Sequence, residues 1–310
     1  MQGLVEGILA AGRSAVELTL YVLLPVMVLM MAAMRLLEAK GVLAFVARIL
    51  TPLLRPFGIP GIGVFAMLQL LLVSYAAPVT TLAVMEAEGT SRRSIAATLA
   101  MILAMAQANA VFPMLAVGLN LPVVLLTSLL GGFAASAFTY HVLLRSEGSE
   151  DRPPTTTSEK PEPPTGVLAL LVEGGQEGVQ LSLRSIPILV LAVCMVKALG
   201  AMGAISLLER GLAPLLKSVG LSGVIVLPIA TKYLAGGTAM MGVAMSLVKE
   251  GTMSALDLNR IAGFMINPLD LVGISVLLSA GPRVASVARP AIVGAAVGIL
   301  IRGILHLVLF

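Results

Sequence analysis

Apolar runs long enough to cross a lipid bilayer occupy residues 15–36, 93–117, 121–144, 180–200, 258–279 and 288–310. A hydrocarbon layer about 30 Å thick takes roughly 20 helical residues to cross. No water reaches the backbone there, so each run must satisfy its own N–H and C=O groups, which a helix does. The period-2 alternation of a membrane barrel is absent. Of the 310 residues, 58% are hydrophobic and 12% charged, whereas a soluble domain carries about 25% charged residues. The chain is therefore expected to be an all-α polytopic protein of the inner (cytoplasmic) membrane, without a soluble catalytic domain. The lipid bilayer is its first partner.

The net charge is +4, and no dense Lys/Arg cluster with interleaved aromatics accompanies it, so nucleic acid is not an expected partner. The single Cys194 lies in an apolar run, which rules out a disulfide framework or thiolate metal cluster within one chain. His141 and His306 fall near span ends with no partner cluster in sequence, so neither is expected to hold a metal. No cofactor is implied. The N-terminal MQGLVEGILAAGRS lacks a basic region and a cleavage site. Its apolar spacing predicts a short interfacial helix leading into the first span.

Residues 146–165, SEGSEDRPPTTTSEKPEPPT, are too polar to form a packed core and read as a linker. On either side lie two similar stretches, 1–145 and 166–310. Pro25 and Pro187, Pro52 and Pro214, Gly58 and Gly220, and Gly61 and Gly223 are each 162 residues apart. Glu88-Gly89-Thr90 and Glu250-Gly251-Thr252 share that spacing. SYAAPVT (74–80) resembles KYLAGGT (232–238) at an offset of 158, as Asn109 does Asn267. Each half is expected to hold a span containing Pro and a short amphipathic helix (42–55; 203–217), then an interrupted apolar stretch (62–87; 222–249) and two further spans. Gly89 and Gly251 suit a left-handed helix end. Thr90 or Ser91, and Thr252 or Ser254, suit the cap of the next helix, with Ser254 and Asp257 at capping-box spacing.

The interrupted stretches either cross the membrane as broken helices or enter and return as re-entrant hairpins. If they return, each half has three spans and the second half is inverted. Twelve of the 20 Lys and Arg residues then share one side, against nine if the stretches cross. The positive-inside rule favours the hairpins and places the linker in the cytoplasm. The expected fold is thus two inverted repeats, each with an interfacial helix, a re-entrant or broken helical hairpin and three spans. Transporters often pair inverted repeats with interrupted helices, whose exposed backbone ends hold a solute near the midplane.

Polar residues inside apolar runs carry the functional signal, because a charge at the bilayer centre costs about 2.5–3.5 kcal/mol on insertion scales. Lys232 and Asp270 stand out: they pair with each other, or bind a charged solute or proton, unless Lys232 snorkels to water and Asp270 neutralises another base. Asn109 and Asn267 occupy similar places in the two halves and suit either a polar ligand or a neighbouring helix. Gln107 lies beside Asn109. Tyr75 and Tyr233 either stack on a planar ligand or pack the hairpins. Ser74, Thr80, Thr238, Gly236 and Gly237 surround the hairpin interruptions. Together these residues form the candidate solute site. Gly294-Ala-Ala-Val-Gly298 has the spacing for close helix contact, within the chain or in a homo-oligomer.

This architecture, with LLVSYAAPVTTLAVMEAEGTSRRS (71–94), resembles the nucleoside-recognition (Gate) domain. That family includes spore-maturation A/B-type membrane proteins, and related domains occur in ferrous-iron and concentrative nucleoside transporters. The resemblance implies a membrane fold that handles small polar solutes. The chain departs from the iron transporters in having no G-x-x-x-x-G-K-[ST] loop and no pore cysteines beyond Cys194. It departs from the nucleoside transporters in that Glu86, Glu88 and Glu250 sit at segment ends.

The leading function is secondary transport of a small polar solute, a nucleoside or related metabolite among them, with a proton or sodium as coupling ion. The alternative is a non-transporting membrane component that supports a partner or envelope process. An intramembrane enzyme lacks its signals: no Ser/His pair, His-Glu-x-x-His or paired intramembrane Asp is present.

Overall fold

Proline and glycine punctuation divides the apolar sequence into helices. The computed structural model describes residues 19–146, 166–218 and 220–310, together with 9, 12, 13, 16 and 17. Nearly all of the expected N-terminal interfacial helix, and linker residues 147–165, lie outside the described residues. A π turn at Thr19–Leu23 leads into α1 (Leu24–Ala39), with Pro25 in the first turn, where a missing N–H breaks no helical bond. Next come α2 (Val42–Leu54), α3 (Gly61–Leu72), α4 (Pro78–Ala87), α5 (Arg92–Ala104), α6 (Ala108–Met114) and α7 (Leu121–Phe138). Beyond the linker are α8 (Val167–Ala201), α9 (Ala204–Ser218), α10 (Val226–Ala235), α11 (Gly237–Lys249), α12 (Ala255–Met265), α13 (Leu271–Leu278), the short α14 (Pro282–Ser286) and α15 (Ala288–Leu309).

The backbone keeps the sequence spacing. Gly41 and Gly203, Gly58 and Gly220, and Gly89 and Gly251 all have positive φ, and each pair is 162 residues apart. At Gly89 the chain makes a Schellman turn, Gly89 N–H donating to the Glu86 carbonyl and Thr90 N–H to that of Met85. Gly251 and Thr252 repeat it onto Val248 and Leu247. Of the alternative caps, Ser91 and Ser254 take the role, Ser254 in a full capping box with Asp257.

Three helical stretches among the described residues are long and apolar enough to span a bilayer: Arg92–Val117, Leu121–Leu143 and Ala288–Leu309. A fourth candidate bends by 108° between Val42–Phe57 and Gly61–Leu72. The chain is an integral, multi-pass, all-helical membrane protein. Two expectations need correction. The run 180–200 is only the end of α8, which has 35 residues. Its polar first half is accommodated against α1, where Gly174 and Gly178 meet the backbone at Met31 and Met27. There Arg35 reaches Glu173 at 3.3 Å and Glu177 at 3.5 Å. The run 258–279 is not a continuous span either, because it is broken near its middle, whereas 93–117 is long and apolar enough to span although interrupted at 105–107.

The core is centred on α5, whose residues from Ser94 to Ala104 are all buried. α7 and α15 pack against it and against each other. On α15, Val293, Leu300, Ile304 and Val308 are exposed at helical spacing, as a lipid face requires. The opposite face carries Gly294 and Gly298. A Cβ at Gly298 would meet the Gly131 carbonyl and the Ala135 and Ala104 methyls, and one at Gly294 would meet Thr139. The small-residue pair thus serves packing within the chain. Gly298→Val is expected to lower stability by about 1–3 kcal/mol through overpacking, read as a fall in the unfolding midpoint of the detergent-purified protein.

Candidate functional site

Two interrupted hairpins and two broken helices meet in the interior. The first hairpin is α3 and α4, joined by residues 73–77. Thr81 Oγ1 on α4 donates to Gln69 Oε1 on α3 at 2.6 Å. Along one straight helix these residues would stand about 18 Å apart, so the arms fold back on each other. The second hairpin is α10 and α11, which pack side by side and turn at Gly236. With φ 90° and ψ 174°, Gly236 holds a conformation that other residues rarely adopt.

The first helix break runs from Met105 to Gln107, where the chain is extended between α5 and α6. The second runs from Ile266 to Asp270, between α12 and α13. Pro268 cannot donate a helical hydrogen bond, and the Asn267 side chain supplies substitutes. Its Nδ2 donates to the Phe264 carbonyl at 2.8 Å, and its Oδ1 accepts from Leu269 N–H at 3.1 Å. Asp270 then caps α13, accepting from Gly273 N–H at 2.7 Å.

At the ends of α5 and α12 one cation answers both breaks. Arg302 on α15 is wholly buried. Its Nη1 donates to the Ala104 carbonyl at 2.5 Å and to the Ile266 carbonyl at 3.0 Å. A guanidinium there satisfies carbonyls the helices leave open and sits at the negative ends of two helix dipoles. His306, one turn on, is also buried, with its ring nitrogens bonded to Thr127 Oγ1 at 2.9 Å and the Asn259 carbonyl at 2.6 Å.

Lys232, near the end of α10, is completely buried and ion-paired with Asp270. Beside the pair lies a small cavity that opens to solvent. Tyr75 from the first hairpin and Gln107 from the first break line it. Gly236, Gly237 and Thr238 from the second hairpin and Asp270 from the second break complete that lining, with Ala235, Val272 and Gly273 around them.

Of the residues singled out from sequence, Tyr75, Gln107, Gly236, Gly237, Thr238 and Asp270 are therefore brought to one space. Lys232 stands behind Asp270. Asn109 and Asn267 turn their amides to the backbone, the Asn109 oxygen accepting from Tyr75 N–H at 3.4 Å. Ser74 is buried in the hairpin tip. Thr80 is exposed and bonds back to the Ala77 carbonyl. Tyr233 is 44% exposed, with its ring 5.8 Å from the Lys232 Nζ. Sequence reasoning missed Arg302, although the rule that picked out Lys232, a charge inside an apolar run, applies equally to it.

Residues 20–122 match the Gate family model, described as nucleoside recognition. The Gate-matched stretch contains the first hairpin, the first break, and with them Tyr75, Gln107 and Asn109. The fold is shared with CNTnw, a concentrative nucleoside transporter. CNTnw in an inward-facing, substrate-bound state aligns with a TM-score of 0.74 at 17% identity, over 93% of this chain and 73% of that one. A substituted form in an outward-facing state gives 0.71 at 17% identity, over 92% and 74%. Another in an intermediate state gives 0.69 at 16% identity, over 98% and 83%. No curated protein matches the chain in sequence.

Proposed function

We propose that this protein moves a small polar solute, a nucleoside or related metabolite, across the inner membrane by a secondary-transport mechanism. The observation that carries the reading is the shared cavity. Its wall takes a residue from each hairpin and each helix break: Tyr75, Gln107, Thr238 and Asp270. Irregular backbone at membrane depth is tolerated where it lines a cavity, and broken helices meeting at one point are a recurring transporter device. The Gate match and the fold shared with a nucleoside transporter support a solute of that class.

In this reading residues 1–145 and 166–310 form two inverted repeats, joined by a cytoplasmic linker, that rock about the site. Tyr75, Gln107, Thr238 and the Gly236-Gly237 turn contact the solute. Lys232 holds Asp270 in place, while Asn109 and Asn267 fix the hairpin tip and the second break. A proton or sodium gradient supplies the drive, and no enzymatic step is involved.

The test is uptake of labelled nucleosides, nucleobases and their anionic relatives, orotate and nucleoside monophosphates, into proteoliposomes with an imposed proton or sodium gradient. Saturable, gradient-dependent uptake is expected. Gln107→Ala should reduce uptake at low solute concentration by about tenfold, the worth of one hydrogen bond lost in a desolvated site. Correctly folded protein that accumulates no solute with either gradient would remove the transport reading and favour a membrane component serving a partner.

A further inference from the structure

Most of the helix ends around the cavity have their charge answered inside the protein. The carbonyls closing α5 and α12 receive Arg302. The amides opening α13 receive the Asp270 side chain. The start of α11 is different. Its N-cap is Gly236, which has no side chain to offer, and the amides of Gly237, Thr238 and Ala239 make no hydrogen bond among the described residues. These amides belong to a 13-residue helix whose first turn lies on the cavity wall. Such an end carries about half a positive charge and presents N–H groups to whatever occupies the space.

A second observation stands apart from the helix end. Gln107 is only 2% exposed, lines the same cavity, and its side-chain amide has no hydrogen-bond partner among the described residues. It lies directly against Gly237, where a Cβ would collide with its Nε2. The amide opens on the cavity and is engaged by no other described group, which leaves its hydrogen-bonding capacity to whatever occupies the space. The Thr238 side chain, on the same wall, adds a hydroxyl donor. Asp270 does not oppose an anion here. One of its oxygens accepts from Gly273 and the other is paired with Lys232, so the pair as a whole is neutral.

We infer that the cavity takes the anionic oxygens of its solute, a carboxylate or phosphate group, between the first turn of α11 and the Gln107 amide. This assignment rests on the transport reading and narrows it: the solute is an anion, or carries an anionic group, and is not a neutral nucleoside.

The experiment is direct binding to the detergent-purified full chain by titration calorimetry with four probes. Uracil and orotate differ by one carboxylate, and uridine and uridine 5′-monophosphate by one phosphate. At least one anionic probe is expected to bind about tenfold or more tighter than its neutral counterpart, as a charge-assisted hydrogen bond implies. Preference for orotate alone assigns a carboxylate, and preference for the monophosphate alone a phosphate. Gln107→Leu and Thr238→Val should each bring that ratio toward one. Equal or tighter binding of the neutral probes overturns the anion assignment and leaves the transport reading standing. An anion preference unchanged in both variants also overturns it, because the anion then sits elsewhere. Binding of none of the four by folded protein removes the solute site and the transport reading together.

Discussion

Replacing Lys232 with Met is expected to lower the stability of the folded protein by about 3–5 kcal/mol, the cost of leaving one member of a buried ion pair without its partner. The magnitude follows from burial, since Lys232 is 0% and Asp270 only 6% exposed. Without the ammonium, the nearly buried Asp270 carboxylate keeps one hydrogen bond, from Gly273, and meets water only through the narrow cavity beside it. The check is a denaturant titration in one detergent, with Asp270→Asn as second arm. An Asn side chain still caps α13 through its oxygen, so Lys232→Met with Asp270→Asn should recover most of the loss. A double variant no more stable than Lys232→Met alone would show that Lys232 acts through packing and not through the pair.

Arg302→Met is expected to cost a comparable amount by a different route. The side chain is removed from two buried carbonyls, Ala104 and Ile266, which belong to different broken helices. Each unsatisfied buried acceptor costs about 1–3 kcal/mol. Arg302→Lys keeps a charge at the two helix ends, but its ammonium must replace the one nitrogen, Nη1, that serves both carbonyls and does so from a differently shaped side chain, so it should fall between the wild type and Arg302→Met. The measurement is the unfolding midpoint, together with hydrogen exchange at 105–107 and 266–270. Faster exchange confined to those breaks is the signature of the proposed bridge. Uniform acceleration across the core would instead mean that Arg302 is a general packing residue.

The two variants separate what could be read early from what could not. Lys232 and Asp270 were conspicuous as charges in apolar runs, and an ion pair between them was one of the open readings. Arg302 obeys the same rule and was overlooked, because it lies within one uninterrupted helix that continues through the neighbouring Gly303 and so marks no break of its own. Asn267-Pro268 carried a local sign of the second break, since Pro cannot extend the hydrogen-bond ladder. The first break has no such sign. Met105, Ala106 and Gln107 all tolerate a helix, and the chain opens there because Ala104 finds Arg302 and Ala106 N–H finds Ser128 Oγ at 2.7 Å, neither of them local.

What the amino-acid sequence determined by itself was whatever depends on composition and short spacing. The hydrocarbon length demanded helices, the Glu-Gly-Thr pairs placed helix ends and starts, and the 162-residue spacing of prolines and glycines reappears in the left-handed turns. These are local matters, decided by what a few neighbouring residues do to the backbone and by how much apolar surface a membrane accepts. Only the tertiary structure decided which polar groups spend their hydrogen bonds inside the protein and which keep them for a ligand. Asn109 and Asn267 look like ligand-binding amides in the sequence, yet both are used on nearby backbone, whereas Gln107 keeps its amide facing the cavity. That partition depends on contacts between segments far apart in the chain, where a buried donor or acceptor takes whichever partner the packing brings within reach.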